Sequence, residues 1–234
     1  MDAFSAEHLA VIAATAAVAV GAGLLARRDR EGTRTLIGAR TLAVLLVLNE
    51  VVFHVVHQLD TGLSPRTDLP LHLTDAATVA AVIALWWGSP LAFELTWFWA
   101  GSATAQALLT PDLRQSFPDY RWWWFVIAHT GVIVAAVLMA WGMRRTPRPG
   151  AVPRVYAWSL GVTALAAAGT LLFDGNYMYL RRKPRGGSLL DLMGPWPWYI
   201  VSGAALALAL FWLLDRPFDG RRRGPRGQVG PAGG

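Results

Sequence analysis

Glu50, His54 and His57 fall at i, i+4 and i+7, a spacing that stacks a carboxylate and two imidazoles on one helical face. The segment PLHLTD (70–75) then brings His72, Thr74 and Asp75 into a single turn. His72 and Asp75 share a face. At 3.6 residues per turn Thr74 points about 160° away from His72, so a base for its hydroxyl must come from another helix. His129, in a later apolar segment, is the natural candidate. A hydroxyl activated by a separate base can act as a nucleophile. The same imidazoles and carboxylates (Glu50, His54, His57, His72, Asp75, His129) could also hold zinc or iron. The chain has no cysteine, which excludes a thiolate nucleophile and a thiolate metal site.

The elements that must position these groups are membrane spans. Of 234 residues, 54% are hydrophobic and only 15% charged, well under the roughly one-quarter charged residues of soluble domains. Apolar windows between breakers predict seven helices, at 6–26, 36–57, 71–87, 91–109, 123–143, 153–173 and 197–214. The third and fourth are joined only by Gly88, Ser89 and Pro90, so they form an antiparallel hairpin. The expected fold is therefore all-α, a polytopic seven-helix bundle over residues 1–219. The Gly/Pro/Arg-rich segment 220–234 is expected to be a disordered cytoplasmic tail.

With the N-terminus outside, 14 of the 21 basic residues fall in inside segments (27–40, 144–154 and after 214), which favours an N-out, C-in orientation. All the basic residues but Lys183 are arginine. They sit in short loops between apolar spans, a distribution that fits topology and membrane lipids as partners rather than nucleic acid. The expected location is a bacterial cytoplasmic membrane. In that orientation Glu50, His54, His57, His72, Thr74, Asp75, Gln106, His129, Asn176 and Tyr177 all lie toward the outside, while the inner halves are sparse in polar groups. One outward-facing polar cavity is expected, because ionisable groups in a span cost about 2.5–3.5 kcal/mol and mark function. His8 reads as an interfacial residue, and Trp122, Trp123 and Trp124 as an aromatic belt.

The segments PLHLTD (70–75), QALLTPDL (106–113), FPDYRWWWFVIAH (117–129), NYMYLRRKP (176–184) and SLLDLMGPWPWYI (188–200) resemble the bacterial YwaF-like integral membrane proteins and their vertebrate relatives, the transmembrane protein 164 group. The resemblance runs from about residue 50 to 205. It implies a membrane-embedded acyltransferase or lipid-ester hydrolase, since the vertebrate relatives are phospholipid acyltransferases that form an acyl-enzyme on a cysteine in the motif corresponding to PLHLTD. Position 74 here is threonine. The androgen-induced-protein family of membrane lipid hydrolases offers the parallel of a Thr and His pair, which makes Thr74 the expected nucleophile and His129 its base. Asp75 or the His54 stripe would orient that base or bind the leaving group, with His57 and His72 completing the catalytic set. Glu50, Gln106, Asn176 and Tyr177 are expected to bind substrate, Gln106 and Asn176 as oxyanion donors. Arg181, Arg182, Lys183 and Arg185 would hold a lipid phosphate. No cofactor is expected on this reading. The alternatives are a zinc-dependent membrane hydrolase, or a non-enzymatic protein that binds or transports a small ligand.

Overall fold

A computed structural model of the chain describes residues 1–30, 32–184 and 187–223. The bundle is built from α1 (Ala6–Asp29), α2 (Thr33–Asp60), α3 (Leu73–Trp87), α4 (Pro90–Trp99) with its continuation α5 (Ala105–Leu109), α6 (Tyr120–Val137), α7 (Ala151–Leu172) and α8 (Trp198–Asp215). A 3₁₀ turn, Arg216–Phe218, and a short α9, Asp219–Arg223, follow. Residues 220–223 of the expected tail are thus helical, and 224–234 lie outside the described residues, as does Arg185. Among the described residues five helices are long and apolar enough to cross a membrane, and seven make up the bundle of this multi-pass membrane protein.

Local chemistry explains the boundaries. Ser5 starts α1 by accepting the His8 backbone N–H (3.2 Å). Gly88 closes α3 with a left-handed φ of 69°, which a residue without Cβ adopts freely, and Ser89 caps α4 ahead of Pro90 at its first position. The expected tight hairpin between the third and fourth spans follows from these residues. Two features are invisible to hydropathy. Both the fourth and fifth spans contain a π turn, Ala100–Thr104 and Leu138–Gly142, where bonding shifts from i→i+4 to i→i+5 and rotates the following residues.

The short α3 lies at the centre, packed on α2, α4 and α6 through an alanine face, Ala77, Ala80, Ala81 and Ala84, that lets backbones approach. Fifteen residues rise about 22 Å, well short of a hydrocarbon core of about 30 Å. Its first turn, which carries Thr74, is therefore recessed below one end of the bundle. His129, nine residues into α6, lies at a comparable depth of about 14 Å.

Candidate active site

Thr74 and His129 face each other at that depth, with Thr74 Oγ1 3.3 Å from His129 Nε2. The imidazole is only 5% exposed. Its Nδ1–H donates to the Phe125 carbonyl oxygen (2.8 Å), one helical turn earlier. A carbonyl can only accept, so in the neutral ring the proton sits on Nδ1 and the Nε2 lone pair is directed at the Thr74 hydroxyl. The Phe125 ring packs on the imidazole with centroids 4.0 Å apart, further restricting its rotation. The orienting bond expected from Asp75 or His54 thus belongs to the backbone of α6.

Asp75 instead caps its own helix. Its Oδ2 accepts the His72 backbone N–H at 2.8 Å, which fixes the start of α3. The backbone N–H groups of Leu73 and Thr74, in the first turn of α3, have no partner among the described residues. They are the orphan donors expected at any helix start, and together with the positive end of the helix dipole they lie beside the threonine hydroxyl. Sequence reasoning missed them as anion-stabilising groups, although the LTD motif placing Thr74 in the first turn was the available signal.

The α2 stripe divides. Glu50 Oε2 accepts the Trp124 indole N–H (3.1 Å), and the His54 Nδ1–H donates to the Glu50 carbonyl (2.8 Å), leaving His54 Nε2 without a protein partner among the described residues. Glu50 and His54 are both within electrostatic range of Asp75. His57 points elsewhere. It stacks on Phe53, its Nδ1 lies 2.9 Å from the Tyr120 hydroxyl and its Nε2 3.4 Å from Asp68. Tyr120 in turn donates to Asp60 (3.0 Å), which Arg121 also grips (2.7 Å). His57 therefore ties the end of α2 to the start of α6 and to the following loop.

His72 packs beside Tyr177 and Tyr179, and its Nδ1 accepts a long bond from the Met178 N–H (3.4 Å). Tyr177 is buried, and its hydroxyl is saturated by donating to the Pro65 carbonyl (2.6 Å) and accepting from the Leu69 N–H (3.1 Å). Asn176 accepts the N–H groups of Arg181 and Arg182 and donates to the Arg182 carbonyl, so its amide shapes its own loop. Gln106 donates to Thr110 (3.0 Å). Tyr177, Asn176 and Gln106 are all engaged internally, unlike the open donors at the start of α3.

A cleft of about 430 Å³ opens between the 112–115 and 176–184 segments, lined by Asp112, Arg114, Gln115, Asn176, Tyr179, Arg182 and Lys183 among others. Tyr179 joins this cleft to His72. Its hydroxyl donates to Asp112 (2.9 Å), and burial followed by that carboxylate raises the phenol above its ordinary range. Arg181 is turned away. It and Arg66 both bind Asp174, and the Arg181 guanidinium holds that carboxyl below the usual carboxylate range. The basic groups facing the cleft are therefore Arg114, Arg182 and Lys183, and Arg114 had no signal in the sequence beyond its charge.

Three further expectations change. His8 is fully buried rather than interfacial, its Nε2–H donating to the Leu108 carbonyl (2.7 Å) and its Nδ1 accepting from the Phe4 N–H (2.8 Å). Of the three consecutive tryptophans only Trp123 is exposed, because helical rotation turns Trp122 into the core and Trp124 onto Glu50. Polar clefts occur at both ends of the bundle: a second, of about 520 Å³, lies opposite the Thr74 end. Among the described residues, no three His, Asp or Glu side chains converge closely enough to hold a metal ion.

No curated protein and no solved structure matches the chain. The family profile does. The match covers residues 3–215, from before α1 to the end of α8, bears out the resemblance to the transmembrane protein 164 group, and the chain belongs to the TMEM164 family.

Proposed function

We propose that the protein transfers or hydrolyses lipid acyl groups in a bacterial cytoplasmic membrane, with Thr74 as nucleophile and His129 as general base. The observation that carries this reading is the 3.3 Å approach of Thr74 Oγ1 to an imidazole nitrogen whose other nitrogen is held by a carbonyl. His129 Nε2 takes the hydroxyl proton as Oγ1 attacks the ester carbonyl carbon. The oxyanion is received by the open N–H groups of Leu73 and Thr74, at the positive end of α3. Collapse breaks the ester C–O bond, and the leaving alkoxide takes the proton back from His129. An acceptor hydroxyl or water then attacks the acyl-threonine, with His129 again as base, and frees Thr74.

Arg114, Arg182 and Lys183 suit the phosphate of the lipid headgroup, since Tyr179 in their cleft packs beside His72, two residues from the nucleophile. With this end outside, as the arginine distribution favours, the substrate would come from the outer leaflet.

The test is turnover of acyl-labelled phospholipid by purified protein. Thr74→Ala should lower the rate by about 10³-fold or more, and His129→Ala by about 10²- to 10⁴-fold. Thr74→Cys should trap a hydroxylamine-labile acyl group on residue 74. Wild-type rates in both alanine variants would end the assignment. A metal-dependent mechanism would instead show stoichiometric zinc whose removal abolishes activity.

A further inference from the structure

The cleft at the end opposite Thr74 is lined by Arg27, Trp141, Arg144, Thr146 and Arg221. Its three arginines come from the end of α1, the segment after α6, and α9, so the fold brings like charges together from distant parts of the chain. Its lining includes no carboxylate, and none of the three forms an ion pair among the described residues. Neighbouring arginines at the same end behave differently: Arg148 and Arg154 are paired with Glu94, and Arg222 with Asp215 and Asp219. Carboxylates are thus supplied where arginine holds the fold together and omitted from the cleft.

The floor is closely packed. Gly23 on α1 lies under Trp141, where any Cβ would come within 2.3 Å of the indole, and a Cβ on Gly142 would come within 2.7 Å of Ala26. Arg27 rests over the Trp141 ring at 5.1 Å, and Arg221 donates to the Ala140 carbonyl (3.1 Å). Arg144 adopts φ of 59°, a left-handed backbone that costs energy for a residue with a side chain. Two helix C-termini meet here, each contributing roughly half a negative charge, against three full positive ones. The cleft keeps a surplus of about two positive charges. A tetrahedral dianion or diester phosphate matches that surplus, the Thr146 hydroxyl adding a donor.

We infer that this cleft binds a phosphate group, as carried by an anionic phospholipid headgroup in the leaflet opposite the Thr74 site or by a soluble phosphate. Binding here needs no chemistry at Thr74 and stands or falls independently of it. Purified protein is reconstituted in nanodiscs of phosphatidylcholine with increasing phosphatidic acid, and lipids retained after extraction into detergent are counted by native mass spectrometry. A parallel titration with inorganic phosphate in detergent identifies a soluble source.

Wild type should retain phosphatidic acid over phosphatidylcholine. Arg144→Asn, which tolerates the left-handed backbone and removes one charge, should weaken retention about fivefold, and adding Arg27→Gln about fivefold again. Arg28→Gln is the control: it removes the same charge from the same end of α1 but lies outside the cleft lining, and should leave retention unchanged. Inorganic phosphate that binds in wild type and is lost in Arg144→Asn would support the site with a soluble ligand. Absence of selectivity for either phosphate probe, or an equal loss in Arg28→Gln and Arg144→Asn, would overturn the inference.

Discussion

Glu94 and the Glu50–Asp75 pair are acids inside the same bundle, yet they are treated in opposite ways. Glu94 is 0% exposed and receives four charge-assisted bonds, three from Arg148 and one from Arg154, at 2.8–3.0 Å. Glu50 has one indole N–H, and Asp75 one backbone N–H. Removing a carboxylate from water costs several kcal/mol unless cations compensate it. At Glu94 that compensation is complete, and the cluster locks α4 to α7 and the preceding loop. Around Thr74 it is left incomplete, beside a histidine nitrogen and helix N–H groups that also have no protein partner among the described residues. Sites with polar groups in waiting are where a ligand has something to bind.

The largest effect that would break this contrast is on stability. Glu94→Gln should destabilise the fold by about 3 kcal/mol, at the lower end for a broken buried pair, because Arg148 and Arg154 are 46% and 33% exposed and can hydrate. The measurement is thermal unfolding in a fixed detergent. Glu50→Gln, under the same conditions, should change stability by no more than about 1 kcal/mol, since only one hydrogen bond, from an uncharged indole, is altered, while slowing acyl turnover. Equal destabilisation by the two substitutions would remove the distinction between a structural and a functional acid.

The frame of the Thr74 site is legible in the sequence, and the Glu94 cluster is not. The Gly-Ser-Pro hairpin, the seven spans and the family motifs follow from local composition. Helical-wheel arithmetic denies Thr74 a base on its own helix and so points to His129. What escaped is rotational. His54 and His57 are three residues apart, yet aromatic stacking on Phe53 and a bond to Tyr120 draw His57 into the 60–68 network. The π turns add rotations that no hydropathy window registers. The course of the 174–182 loop is equally hidden, because the positive φ at Asp174, Met178 and Tyr179 that folds it back on itself is not encoded by glycine there. The basic cleft opposite Thr74 depends on residues more than 190 positions apart, so topology counting could see only its total charge.

The smallest expected effect isolates burial from pairing. Asp174 has the same partner set as Glu94, a carboxylate between two arginines, but its side chain is largely exposed. Solvent and salt screen such a pair, so Asp174→Asn should leave the global unfolding temperature unchanged. Its influence is local and depends on pH with a definite sign. The Arg181 and Arg66 guanidiniums depress the Asp174 carboxyl, so the contribution is complete above the unfolded value of about 3.9 and is lost as pH falls through the lower folded one. Hydrogen exchange in residues 174–184 should therefore give comparable backbone protection in wild type at low pH and in Asp174→Asn at neutral pH, once intrinsic rates are corrected. Molar salt should loosen the wild-type loop in the same way while leaving Glu94 intact, because ions reach the exposed carboxylate of Asp174 and not the buried one of Glu94. Salt sensitivity of equal size at both acids would mean that pairing alone, and not burial, sets what each one contributes.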